Sequence, residues 1–181
     1  MTIYGSGHLV RMTEEHLART CTQLQQSQRL RGQIDCLFPP TEDGNLNYWR
    51  VKWRDESRED YAVVHSDGRH IGNCGLCDID KERAKAQLWI YLWESHGTGN
   101  GSTAMRLLLT RAFDELVLNR VYLLVLADNI SAINFYEKHG FVKEGVLRQD
   151  TRHGDRYIDS FLMSMLADEY KSATRKAAAM I

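Results

Sequence analysis

Residues 88–101, LWIYLWESHGTGNG, constrain this chain more than any other stretch. An apolar run ends in a turn with Gly97, Gly99 and Gly101 at alternate positions, and a helical period starts at about Ser102. A strand, a glycine turn and a helix start make a site for phosphate groups. The first amides of a helix lack internal partners, the helix dipole favours negative charge there, and glycines let the backbone approach an anion without a Cβ in the way.

The rest of the chain is long enough for one core. It has 181 residues, 43% apolar and 26% charged, with a formal net charge of -1. The expectation is a single domain over residues 1–181, with its core at about 8–170 and a helical tail at 168–181. The near-zero charge balance gives no reason to expect nucleic acid as a partner. No apolar run reaches the roughly 18 residues of a membrane helix, and MTIYGSGHLVRM lacks the basic-then-apolar pattern of a signal peptide. Neither a membrane partner nor export is expected, and a cytoplasmic setting follows. Of the four cysteines, at 21, 36, 74 and 77, Cys74 and Cys77 have CxxC spacing. They lie in a β-like run where residues three apart face opposite ways, and no further Cys or His completes a ligand set. No metal is expected.

Residues 8–12 read as a strand, and Thr13 caps a helix that fades near Gln28. Pro39–Pro40 and TEDGN mark an irregular stretch, followed by a helix from Leu46 to about Arg54 carrying Trp49 and Trp53. Residues 60–66 and 69–79 are strands joined at Asp67–Gly68, and Ala86–Trp93 completes an antiparallel meander. After the glycine turn, Met105, Leu108, Leu109, Ala112, Phe113 and Leu116 have helical spacing. Arg120–Ala127 is dense enough in apolar residues to be a buried strand, parallel to Leu88–Trp93 through the crossover helix. A short helix from Asp128–Asn129 to Gly140 follows, then strands at 141–149 and 156–166 and an Ala-rich helical tail.

Several phosphate chemistries fit a glycine turn. A nucleoside-triphosphate loop needs a Lys that is not near Gly101, and a dinucleotide loop needs a third glycine where Ser102 stands, although Asp128 could serve as its ribose-binding acid. A turn without a ligand is a further reading. The third chemistry is acyl transfer from coenzyme A, whose loop has the pattern [QR]xxGxG, and His96–Gly101 resembles its variant with alternate glycines. DNISAINFYEKHGFVKEGVLRQD, residues 128–150, resembles the second signature of the GNAT N-acetyltransferase superfamily, N-x-x-[AS]-x-x-x-Y-E-K-x-G-F. RHGDRYIDSFLMSML, residues 152–166, is similar to the closing hairpin of its ribosomal-protein, spermidine and amino-sugar acetyltransferase branch. The resemblance is strong from Leu88 onward and weak before Asp60.

This resemblance implies a mixed α/β fold: a twisted, mostly antiparallel sheet of about seven strands with one splayed parallel pair and helices on both faces. It implies acetyl-CoA as co-substrate, its pyrophosphate on His96, Gly97, Thr98, Gly99, Asn100, Gly101 and Ser102, and its pantetheine arm on the backbone of Ile90, Leu92 and Trp93. Tyr136 would protonate the departing thiolate with a phenol of ordinary pKa, about 10. Asn129 would lie near the transfer site and Asn134 near the cofactor, and amides near Leu92 would hold the oxyanion. His96 replaces the usual Gln or Arg, so cofactor affinity should depend on pH; flat binding between roughly pH 5.5 and 8 would refute this. The family's glutamate base is vacant, since the matching stretch reads Ala86–Gln87, and Glu94, Asp78 and Asp159 are substitutes.

Trp49, Trp53, Asp78, Tyr91 and Asp159 are candidate acceptor-binding residues. Aromatic walls and acids suit a cationic small amine such as a polyamine or an amino sugar. A protein N-terminus is the alternative acceptor, and a non-catalytic acyl-CoA sensor the alternative role. Homodimerisation is common in such enzymes, and nothing in the sequence fixes it.

Overall fold

The computed structural model describes residues 7–27, 42–94, 99–153 and 155–178. The elements in chain order are β1 (Gly7–Arg11), α1 (Glu14–Gln26), α2 (Glu42–Lys52), β2 (Glu59–His65), β3 (His70–Asp80), β4 (Lys85–Leu92), α3 (Asn100–Thr110) with a π-helical turn at Arg111–Glu115, β5 (Arg120–Leu126), α4 (Ile130–Lys138), β6 (Val142–His153), β7 (Arg156–Leu166) and α5 (Ala167–Ala178). The strands form one seven-stranded sheet in the order β1-β2-β3-β4-β5-β7-β6. Its one parallel pair is β4–β5, whose ladder has three rungs from Lys85↔Arg120 to Gln87↔Tyr122. This is the expected mixed fold. Two compact units make it up: Met1–Cys77 with Trp89–Leu108, and Asp78–Leu88 with Leu109–Ile181. Among the described residues no helix is long and apolar enough to cross a membrane.

In the first unit, α1 starts where the Thr13 side chain accepts from the His16 amide, and His16 returns the bond to the Thr13 backbone. Glu14 and Glu15 in the first turn complement the helix dipole. Leu17, Cys21 and Leu24 line its buried face at helical spacing. Helix α2 begins a turn earlier than Leu46, because Gly44 and Asn45, weak helix formers, are carried inside it. Trp49 from α2 closes a core with Met12 and Leu17. The β2–β3 hairpin turns at Gly68, whose φ of +87° suits glycine. Arg69 folds back on Asp67 (2.9 Å) and holds the turn.

The second unit is built on β5, which pairs with β7 along its whole length, Arg120↔Leu166 to Leu126↔Ser160. Val121, Leu123 and Val125 form its buried face. The other face is less covered than a buried strand requires, since Leu124 is 40% exposed. Strand β6 runs past residue 149 to His153. Arg148, Gln149 and Asp150 form a bulge between Leu147↔Ser160 and Thr151↔Ile158, so the ladder resumes after the point where the sequence pattern breaks.

Candidate acetyl-transfer site

On the first unit the site is the end of β4 and the start of α3. Trp89, Tyr91 and Trp93 share one face at strand spacing. Their rings stack along the strand, with centroids 5.6 and 6.2 Å apart. Trp49 extends the ladder at one end and His70 at the other, the His70 ring lying 4.7 Å from Trp93. Glycine in β3 makes room for this row: a Cβ on Gly72 would lie 2.5 Å from the Tyr91 carbonyl oxygen, and one on Gly75 would lie 2.8 Å from Trp89 Nε1.

Strand β4 ends in a bulge, where the amides of Trp93 and Glu94 both point at the Ile71 carbonyl (3.0 and 3.5 Å). The Trp93 amide is therefore committed to β3, which corrects the expectation that it pairs with a pantetheine arm. By the alternation of an antiparallel strand, the backbone groups of Ile90 and Leu92 point to the other edge of β4. Gly99 then takes φ +79° with open space where a Cβ would be, and α3 starts at Asn100. The Gly101 and Ser102 amides are in its first turn, which carries no acid. A helix N-terminus with no carboxylate in its first turn fits a pyrophosphate. His96, Gly97 and Thr98 lie outside the described residues.

On the second unit, Asn129 caps α4: its Oδ1 accepts from the Ala132 amide (3.2 Å). Ile133 and Tyr136 face inward from α4, and Asn134 faces outward. Tyr136 is 7% exposed and sits between the rings of Phe135 and Phe141. No described residue hydrogen-bonds its hydroxyl. Burial pushes the phenol well above its ordinary pKa, correcting the unperturbed value expected from sequence. Asp159 lies one rung beyond β5: its carbonyl accepts from the Ala127 amide (2.8 Å), and its Oδ1 accepts from the Gln149 amide (2.8 Å). One carboxylate oxygen thus holds the β6 bulge.

The remaining candidates divide. Trp49 is 4% exposed and belongs to the core, with Trp53 packed against it. Tyr91 is half-buried, and its hydroxyl accepts from Asn73 Nδ2 (2.8 Å). Glu94 pairs with Arg69, so its charge is already matched. Asp78 stands exposed near the end of β3, with φ 49°. Cys74 is wholly buried, and burial raises its thiol pKa, so it is no nucleophile.

Sequence reading missed a buried polar chain beneath the aromatic row. Thr20 Oγ1 donates to the His16 carbonyl (2.7 Å), Asn73 Nδ2 donates to Thr20 Oγ1 (2.7 Å), and Asn73 Oδ1 lies 2.8 Å from His70 Nε2. The available signal was a His and an Asn three apart in the small, apolar run HIGNCGLC.

Residues 8–142 match the acetyltransferase (GNAT) domain family. An uncharacterized N-acetyltransferase p20 of Bacillus licheniformis is 34% identical over 109 residues, 60% of this chain and 61% of that protein. The spermidine N(1)-acetyltransferase of Vibrio cholerae serotype O1 is 30% identical over 117 residues, 64% of this chain and 68% of that protein. The crystal structure of spermidine N-acetyltransferase from Vibrio cholerae in complex with CoA and spermine superposes with a TM-score of 0.82 at 24% identity, covering 91% of this chain and 98% of that one. A family match over most of the chain, on a sheet with one parallel pair, leads to one conclusion: the chain belongs to the GNAT acetyltransferase family.

Proposed function

We propose that this chain transfers the acetyl group of acetyl-CoA directly to a primary amine of a small molecule, in a complex holding both substrates. The observation that carries the reading is Tyr136, a buried phenol whose hydroxyl no described residue engages, on the helix that Asn129 caps. A hydroxyl without an internal partner is suited to serve a bound group.

When bound, acetyl-CoA supplies an activated thioester. The Gly101 and Ser102 amides at the start of α3 hold its pyrophosphate, with Gly99 leaving room for close approach. The outward backbone of Ile90 and Leu92 orients its arm as a neighbouring strand would. The Leu92 amide faces the developing oxyanion. Tyr136 gives its proton to the departing sulfur. A phenol held above its ordinary pKa keeps that proton until a thiolate forms. The likeness to the spermidine N(1)-acetyltransferase of Vibrio cholerae, and the aromatic row on β4, support a polyamine as the acceptor, ahead of an amino sugar or a protein N-terminus.

Thiol release from acetyl-CoA should be measured with spermidine, spermine, glucosamine and an N-terminal peptide. The expected result is turnover with the polyamines. Binding of acetyl-CoA with no release on any amine would refute the enzymatic reading and favour a sensor. Tyr136→Phe should lower kcat by about 100-fold. Its melting temperature should not fall, because the deleted hydroxyl leaves no described partner behind. An unchanged kcat would remove Tyr136 from the mechanism.

A further inference from the structure

The general base can be found by following protons through the buried chain beneath the aromatic row. Thr20 has one hydroxyl hydrogen, and it goes to the His16 carbonyl at 2.7 Å. Thr20 Oγ1 is then an acceptor towards Asn73, so the Asn73 atom 2.7 Å from it is the amide nitrogen. The other Asn73 atom, facing His70 Nε2 at 2.8 Å, is the carbonyl oxygen and accepts only. His70 Nε2 therefore carries the hydrogen, and Nδ1 is a bare lone pair. That nitrogen is buried in a residue only 6% exposed, and no hydrogen bond of good geometry reaches it; the Gly72 backbone lies near the ring and favours its protonated form. A buried acceptor left unmatched is costly and calls for an explanation.

Its place in the fold supplies one. The His70 ring stands edge-on to Trp93, 4.7 Å away. The next residue, Ile71, provides the carbonyl on which the β4 bulge closes. An imidazole held by an amide oxygen on one nitrogen, with a lone pair on the other, is the arrangement that orients a histidine base in Cys-His-Asn hydrolases.

We propose that His70 is the catalytic base of the acetyl transfer, accepting on Nδ1 the proton that the attacking amine loses, directly or through one water, while Asn73 and Thr20 are positioning residues that fix its tautomer. This rests on the acetyltransferase reading above. As the nitrogen–carbon bond forms and the carbon–sulfur bond breaks, the amine proton passes to Nδ1 and the sulfur takes a proton from Tyr136. The imidazolium then releases its proton to solvent and the phenolate regains one. Nδ1 is covered in the structure described, so the acceptor, or a water entering with it, provides the missing donor.

The charged and titratable groups around His70 are His16 and Arg19 from α1; the Glu94 charge beyond Trp93 is matched by Arg69. With burial the largest cause, His70 titrates below the ordinary histidine value, so it is neutral and basic at neutral pH.

The test has a ground-state arm and a kinetic arm. Long-range proton–nitrogen correlation of the full chain at neutral pH should show His70 protonated on Nε2 and bare on Nδ1; the opposite tautomer overturns the proposal, whatever the activity. In the kinetic arm, the wild-type rate on spermidine should fall on the acid side, below the ordinary histidine pKa. His70→Gln should lose about 100-fold in kcat and lose that acid limb, with the KM for acetyl-CoA unchanged. Asn73→Asp, which places a carboxylate on the Nε2 hydrogen, should keep the limb and move it up by about one pH unit or more. A His70→Gln enzyme with wild-type kcat, or an Asn73→Asp limb that does not move, overturns the proposal. No release by the wild type on any amine sinks the acetyltransferase reading instead, and the tautomer measurement still decides the His70 geometry.

Discussion

Gly72 and Gly145 allow one chemical change to be tried in two surroundings. Both are strand glycines without a positive φ, so adding a methyl group tests space alone. At Gly72 the new Cβ would lie 2.2 Å from Leu92 Cδ2, 2.5 Å from the Tyr91 carbonyl oxygen and 2.8 Å from Leu92 Cα. Two of those atoms are backbone, so no rotamer change relieves the contact and β4 must move. Overpacking of this kind costs about 1–3 kcal/mol, and the backbone clash puts Gly72→Ala at the upper end. At Gly145 nothing lies within 4 Å of the added carbon. There the lower entropy of the unfolded alanine chain should stabilise by about 0.5–1 kcal/mol. For a chain of this size each kcal/mol moves Tm by about 2–4 °C, so Gly72→Ala should lower it by roughly 6–12 °C and Gly145→Ala raise it by about 1–4 °C. Thermal unfolding followed by circular dichroism measures both. Because the displaced segment carries Leu92, Gly72→Ala should also weaken acetyl-CoA binding by calorimetry. Equal Tm shifts of the same sign, or a Gly72→Ala protein as stable as wild type, would refute this account of how β3 and β4 fit together.

The edge of the second unit gives a pH-dependent prediction. Hydrogen bonds from Arg120 and then Ser164 hold the Glu144 carboxyl at about 2, below its ordinary 4.5. A depressed folded value means the contribution is present above the unfolded pKa and is lost as pH falls towards the folded one. Glu144→Gln should therefore be less stable than wild type at neutral pH, by up to about 1 kcal/mol since the pair is solvent-screened. The difference should close between pH 4.5 and about 2 in urea titrations; a gap constant across that range argues against the linkage. Val117 has φ 54° and is 74% exposed. A β-branched residue is disfavoured there, so Val117→Gly should gain about 0.5–1 kcal/mol in urea unfolding; a loss of stability would mean Val117 makes contacts that outweigh its backbone strain.

Much of this was legible in the sequence because it is local. Thr13 as a cap, Asp67–Gly68 as a turn, the helical period after the glycine turn and Asn129 at the head of α4 depend on neighbours a few residues away. The resemblance of residues 128–150 carried the family. Less was legible where contacts are distant. Asn73 bonds Thr20 across 53 residues and Tyr91 across 18, so no spacing rule joins them. Trp93 looked available to a cofactor until the bulge showed its amide bound to Ile71. Gly44 and Asn45, weak helix formers, hid the start of α2.

The bulge in β6 has a consequence unrelated to catalysis. Strand β6 is the last in the sheet and spans 12 residues, with Val142, Val146 and Leu147 exposed along it. An edge strand of that length is a template on which a second chain can add a strand, and the charged Lys143, Glu144, Arg148, Asp150 and Arg152 along it oppose this. The three residues Arg148–Asp150 cut it into a run before the bulge and a shorter one after it. Gln149, with φ 53°, turns its amide inward to the Asp159 carboxylate instead of outward to a passing strand. Asp159 thereby occupies an edge donor in the middle of β6, and replacing it would leave that amide free to pair with a passing strand.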